Sequence, residues 1–213
     1  ARAAEHFVRT EIDAPIYFGR AAISDVSSFN VEQYLAVGGE LFEEISAKIQ
    51  YPRDIPMPLS AERQHSIIRS VAKARWNDLT RRLPLGRDAK TLLEGIGTYC
   101  YDQTFRETAP YMPGVTGIGI TMQDRETLID TPDDKIKHLC RLRDVLTSLV
   151  AHNLLVPRLD HSNKNKKFVV FYLNRLLCVQ FGLPLGYGGW REKKIRDLIV
   201  WQEHGGEEEE PSF

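Results

Sequence analysis

The sequence predicts a mainly α protein with a small β wing: a helical bundle followed by a winged-helix domain. Three observations lead there. Apolar residues recur at three- and four-residue steps through most of the chain, the period of helices with one buried face. Past residue 150 that rhythm gives way to two short β-prone runs separated by a polar, lysine-rich turn. The stretch 131–174, TPDDKIKHLCRLRDVLTSLVAHNLLVPRLDHSNKNKKFVVFYLN, therefore has the order helix, strand, basic turn, strand. A recognition helix followed by a two-stranded wing has that order.

Taken from the start, residues 1–14 are mixed and read as a helix. Pro15 to Ser24, with Ile16, Tyr17, Phe18 and Ile23, reads as a short buried strand. A polar turn follows, and Asn30 is placed to cap the next helix. Val31 to Gln50 carries Tyr34, Leu35, Leu41, Phe42, Ile45 and Ile49 at helical spacing. Gly38 and Gly39 interrupt it; at about 1 kcal/mol each inside a helix, they predict a break or a close contact. Three prolines between Tyr51 and Pro58 mark a connector and a domain boundary.

Ser60 caps a helix that runs to about Arg82. It has an apolar face of Ile67, Ile68, Val71 and Leu79 with Trp76 alongside, and a basic face of Arg63, Arg69, Lys73, Arg75, Arg81 and Arg82. Asp88 opens the next helix, through Leu92, Leu93, Ile96, Cys100 and Phe105. Pro110 to Ile120, PYMPGVTGIGI, reads as a structural loop, and Thr121 caps a short helix after it.

Thr131 and Pro132 form a start signal for the recognition helix, with Asp133 and Asp134 at the positive end of its dipole. Pro157 suits Leu154 to Leu159 to an edge strand, and Phe168 to Leu173 is the second strand. Asn174 to Phe181 is a short helix, and Gly182 to Gly189 is glycine-rich. Trp190 to His204 is a final amphipathic helix, and the four glutamates of Gly205 to Phe213 make a solvated tail expected to be disordered.

Composition narrows function. The chain has 213 residues, 42% of them hydrophobic, and a formal net charge of -1, so nucleic-acid binding has to be local. Cys100, Cys140 and Cys178 are odd in number and widely spaced, which fits buried thiols in a reducing cytoplasm better than a disulfide framework. No apolar run reaches the roughly 20 residues of a membrane span. There is no GxxxxGK[ST], GxSxG or HExxH, and the histidines are scattered, so no self-sufficient active site is visible. The chain opens at Ala1 without an initiator Met, which fits a piece of something longer.

Two blocks carry a family resemblance: LGRDAKTLLEGIGTYC with APYMPGVTGIGITM, within 85–122, and VVFYLNRLLCVQFGLPLGYGGWREK, 169–193. Both resemble the C-terminal half of bacterial origin-recognition-like AAA+ P-loop ATPases. The resemblance implies the end of a truncated ATPase-like core over 1–58, a helical lid-like domain over 59–130, and a winged-helix domain with C-terminal extension over 131–204. It implies ATP and magnesium for the full-length parent and none in this chain, because the phosphate loop would lie upstream. It also makes Arg87, at the start of a lid helix, a candidate for reaching a γ-phosphate.

Double-stranded DNA is the expected partner. On the wing the candidates are Arg158, Asn163, Lys164, Asn165, Lys166 and Lys167, side chains suited to phosphate contacts that position without reading sequence. The recognition helix adds Lys135, Lys137, Arg141 and Arg143. Beyond them only Thr147 and Ser148, with His152 at its end, are available for base edges, so weak sequence selectivity is expected. The alternative is a protein-interaction module docking on an ATPase core or another subunit.

Overall fold

The computed structural model describes residues 2–49, 57–106, 114–132, 136–163 and 166–205. The fold is mainly α with a small sheet. Its first helices are α1 (Arg2–Glu11), α2 (Gly19–Val26), α3 (Val31–Ser46), α4 (Ala61–Arg82) and α5 (Gly86–Phe105). Then come β1 (Val115–Thr121), α6 (Met122–Asp130), α7 (Lys137–Ala151), β2 (Leu155–Asn163) and β3 (Lys166–Leu173). The chain closes with α8 (Arg175–Gln180), β4 (Gly189–Glu192) and α9 (Ile195–His204). The proline connector falls mostly outside the described residues, as does nearly all of the glutamate tail.

Local chemistry explains most of the helix starts. The side chains of Asn30, Ser60 and Thr121 each accept a hydrogen bond from the backbone N–H three residues on. Asn174 caps α8 by accepting from Leu176 N. These bonds satisfy donors that the first helical turn leaves open.

Five readings from sequence change. The expected strand over 15–24 is an extended piece followed by α2. Its backbone donors find side chains of α4 instead of a sheet: Ile16 and Tyr17 N–H both donate to His65 Nδ1, and Gly19 N–H donates to Gln64 Oε1. Gly38 and Gly39 neither break α3 nor make room for a neighbour, since a Cβ at either meets nothing within 4 Å. Thr131 ends α6 rather than opening α7, which begins at Lys137. The stretch from Pro110 to Ile120, expected to be a loop, contributes Val115 onward to β1, a central strand of the sheet, and Trp190 lies in β4 ahead of the last helix.

The sheet order is β2-β3-β1-β4. β1 runs antiparallel to β3, with Ile118 opposite Phe171, and parallel to β4. The period of two sets its faces. Ile118 and Ile120 turn into the main apolar cluster, which extends from Trp76 and Leu79 of α4 through α5 and α7 to Leu198 of α9. Gly117 and Gly119 lie on the opposite face, where a Cβ would meet the Tyr172 ring at 2.7 Å and the Trp190 ring at 2.6 Å. The bare glycine backbone is what lets Phe168, Val170, Tyr172 and Trp190 cover that side.

A second cluster joins α2, α3 and α4 to α8 through Val26, Val37, Ile68 and Val179. At its edge His6 Nε2–H donates to Gly182 O at 2.7 Å, and burial pushes its pKa below the usual 6.5. Burial and the nearby Arg69 charge also lower the pKa of His65. Folding therefore favours the neutral form of both imidazoles, while the unfolded chain protonates them below about pH 6.5. Stability is expected to be level above that pH and to fall as pH drops below it; urea midpoints at about pH 7.5 and 5.5 check the sign.

Candidate nucleic-acid interface

Helix α7 and the β2–β3 hairpin carry the described cations of the stretch read as a winged helix. Helix α7 buries Leu139, Leu142, Val145, Leu146 and Leu149, which leaves Lys137, Arg141, Asp144 and Thr147 exposed on the opposite side. That exposed side is poorer in free charge than the sequence implies. Arg141 forms a forked ion pair with Asp88 in the first turn of α5, with Nη2 donating to Oδ1 at 3.0 Å. Arg143 is half-buried and donates to Thr131 O at 3.2 Å and to Asp144 at 3.4 Å. Lys137 has no carboxylate partner among the described residues. The Ser148 hydroxyl is buried without a hydrogen-bond partner there, and its carbonyl accepts from His152 Nδ1 at 2.8 Å. Lys135 lies outside the described residues.

The hairpin is longer than its sequence signal. β-Pairing continues outward past Phe168 to Ser162↔Lys167 and Asn163↔Lys166, so residues read as turn lie in strands. A bulge between Arg158 and His161, with Asp160 at φ 58°, bends the outer half of the ladder. Arg158, Asn163, Lys166 and Lys167 are all exposed, and the three cations have no carboxylate partner among the described residues. Consecutive strand residues point to opposite faces, so Lys166 and Lys167 present charge on both sides of the ribbon. Lys164 and Asn165 fall outside the described residues.

Trp190 braces this ribbon, a role that the sequence did not suggest. Its indole N–H donates to His161 Nε2 at 3.2 Å, and its ring packs on Phe168 with centroids 4.9 Å apart. Gly119 opposite makes the seat for that ring. Alternation in Gly117-Ile118-Gly119-Ile120 was the available signal: one apolar face and one bare face in a single strand.

Arg87 is exposed in the first turn of α5, with Leu85 ahead of it in a left-handed conformation and no side-chain cap. Its carbonyl accepts from Thr91, and its neighbour Asp88 is committed to Arg141. The sequence holds no GxxxxGK[ST] phosphate loop beside which Arg87 could act. Among the described residues no group of three or more His, Cys, Asp or Glu could hold a metal ion.

A model of the ORC-CDC6-like family matches residues 4–190. The chain belongs to the ORC-CDC6-like family. It is thereby an origin-recognition-like, AAA+ ATPase-related protein. No curated protein and no solved structure matches it. The ORC-CDC6-like match takes in α7, the hairpin and Trp190, whereas α9 lies beyond it. α9 nonetheless packs on α5, where Gly95 leaves room for Trp201, and adds Leu198 to the core. Among the described residues no helix is long and apolar enough to cross a membrane.

Proposed function

We propose that this ORC-CDC6-like chain is the DNA-binding part of an AAA+ type ATPase, gripping duplex phosphates through a winged-helix unit. The unit begins at α5 in this reading, because α5, β1, α6, α7, β2 and β3 follow the order helix, strand, helix, helix and two-stranded wing. β1 belongs with it through its pairing to β3. The observation that carries the reading is the set Arg158, Lys166 and Lys167, exposed on the hairpin and unneutralised by carboxylates among the described residues.

Such contacts position the protein and do not read bases. Arg141 and Arg143 are occupied within the chain, which favours weak sequence selectivity. ATP and magnesium are ascribed to an ATPase core in this reading, because the sequence carries no GxxxxGK[ST] phosphate loop. The test is a salt titration of a short labelled duplex by fluorescence anisotropy. Affinity should fall steeply with salt and differ little between unrelated duplexes. A folded chain with no duplex binding at low salt would sink the reading.

A second reading, docking on an ATPase core or another subunit, has its own support in α3. Val31, Leu35, Gly38, Phe42, Ile45 and Ile49 follow a four-three spacing, the seam period of packed helices. Val31, Leu35 and Phe42 are 71%, 64% and 68% exposed, so this part of the stripe is not used within the fold, whereas Ile45 packs against the second cluster. Leu35→Glu with Phe42→Glu should leave the urea midpoint and duplex affinity unchanged, because neither side chain is buried. Co-sedimentation with the ATPase core should fall about ten-fold or more if the stripe is the docking face. Unchanged co-sedimentation would remove α3 from it.

A further inference from the structure

Helix α4 carries cations in two different states. Arg63 is paired with Glu44 at 2.6 Å, Arg75 with Glu32 at 2.7 Å, Arg82 with Glu32 at 3.5 Å, and Arg81 with Asp78. Arg69 and Lys73, one turn apart and both exposed, have no carboxylate partner among the described residues. They line a cleft of about 570 Å³ together with His65, Ser66, Ser70, Val179 and Gln180. No acidic side chain lines it.

The histidine fixes the sign of the cleft's hydrogen-bonding groups. His65 Nδ1 accepts from two backbone N–H groups, those of Ile16 and Tyr17, at 3.2 and 3.1 Å. A proton on that nitrogen would face two donors. The neutral ring therefore carries its proton on Nε2, which makes the other nitrogen a donor. Stacking on Tyr17, with centroids 5.4 Å apart, fixes the ring plane. Two hydroxyls, an imidazole N–H, a guanidinium and an ammonium thus share one cleft. The groups suit an oxyanion with several acceptor atoms and would repel a cation.

We infer that the α4–α8 cleft, lined by His65, Ser66, Arg69, Ser70 and Lys73, is a second binding site of this protein and takes a phosphate group. The phosphate can come from a nucleic-acid backbone or from a small phosphate such as a nucleotide. The site shares no residue with the hairpin, so it stands or falls separately from the DNA reading given above.

The test uses the full chain, an Arg69→Ala/Lys73→Ala double variant, and Arg81→Ala as a paired-arginine control from the same helix. Both altered cleft side chains are exposed, so the double variant should fold; circular dichroism checks this. Three probes are used: orthophosphate and ATP, each read as a rise in Tm over chloride at equal ionic strength, and a short duplex read by anisotropy. A rise in Tm with orthophosphate or ATP that the double variant loses, with at least ten-fold weaker binding, assigns the cleft to small phosphates. A duplex salt slope shallower by about 1.8, the equivalent of two lost contacts, without a response to small anions assigns it to a nucleic-acid backbone. Arg81→Ala should match the parent with every probe. No difference between parent and double variant with any of the three overturns the inference. Failure of the hairpin reading would show instead in Lys166→Ala/Lys167→Ala, which leaves the orthophosphate and ATP responses intact.

Discussion

Ile118→Ala should lower folding stability by about 2–5 kcal/mol, the range for emptying a fully buried aliphatic site. Ile118 has no exposed surface, lies in a central strand and faces the main cluster. The neighbouring Gly119→Ala should cost about 1–3 kcal/mol for the opposite reason, overpacking. Its new Cβ would stand 2.6 Å from two carbons of the Trp190 ring, and that ring would have to leave Phe168 and His161. Urea midpoints at unchanged slope measure both. If residues 115–121 were a surface loop, each change would move stability by less than about 0.5 kcal/mol. Near-neutral values for the pair would therefore contradict the strand register itself.

Arg158→Ala/Lys166→Ala/Lys167→Ala should make the salt slope of duplex binding shallower by about 2.7. Three phosphate contacts at about 0.9 each give a slope near -2.7 in log affinity against log salt. Between roughly 50 and 200 mM salt those contacts account for about 40-fold of the parent's weakening, which the variant should lose. All three side chains are exposed on the hairpin and make no ion pair among the described residues, so the fold should be unaffected. A matching variant at α4, Arg75→Ala, removes a cation already paired with Glu32 and should leave the slope in place. A triple variant with the parent's slope would exclude the hairpin as the DNA contact.

What the sequence made legible was local. Caps at Asn30, Ser60 and Thr121, the long amphipathic α4 and the paired β2–β3 runs each leave a signature within a few residues. What it hid depends on distant partners. The segment after Ala14 looks strand-like until one sees His65, nearly fifty positions later, accepting its backbone hydrogens. Glycine and proline near β1 signal a loop locally, but Gly117 and Gly119 are there for two aromatic rings that come much later in the chain. Arg141 reads as a free cation on the recognition helix because Asp88, its partner, is 53 positions away. Of the interface, the exposed hairpin cations were visible in the sequence, while the neutralised helix cations and the Trp190 brace were not.

β1 has both of its strand neighbours downstream, β3 at Lys166–Leu173 and β4 at Gly189–Glu192. As the chain emerges from the ribosome, Ile118 and Ile120 are made some fifty residues before anything can pair with their backbone. Joining Gly117 to Tyr172 closes a long loop, so the sheet belongs to the slow, high-contact-order class of structures. A nascent chain halted before Lys166 holds an unpaired, β-prone and apolar segment, which is the kind of surface that chaperones cover and aggregates recruit. The same arrangement ties the hairpin to the core: once β3 docks on β1, the ribbon carrying Arg158, Lys166 and Lys167 is held by a strand whose inner half is buried.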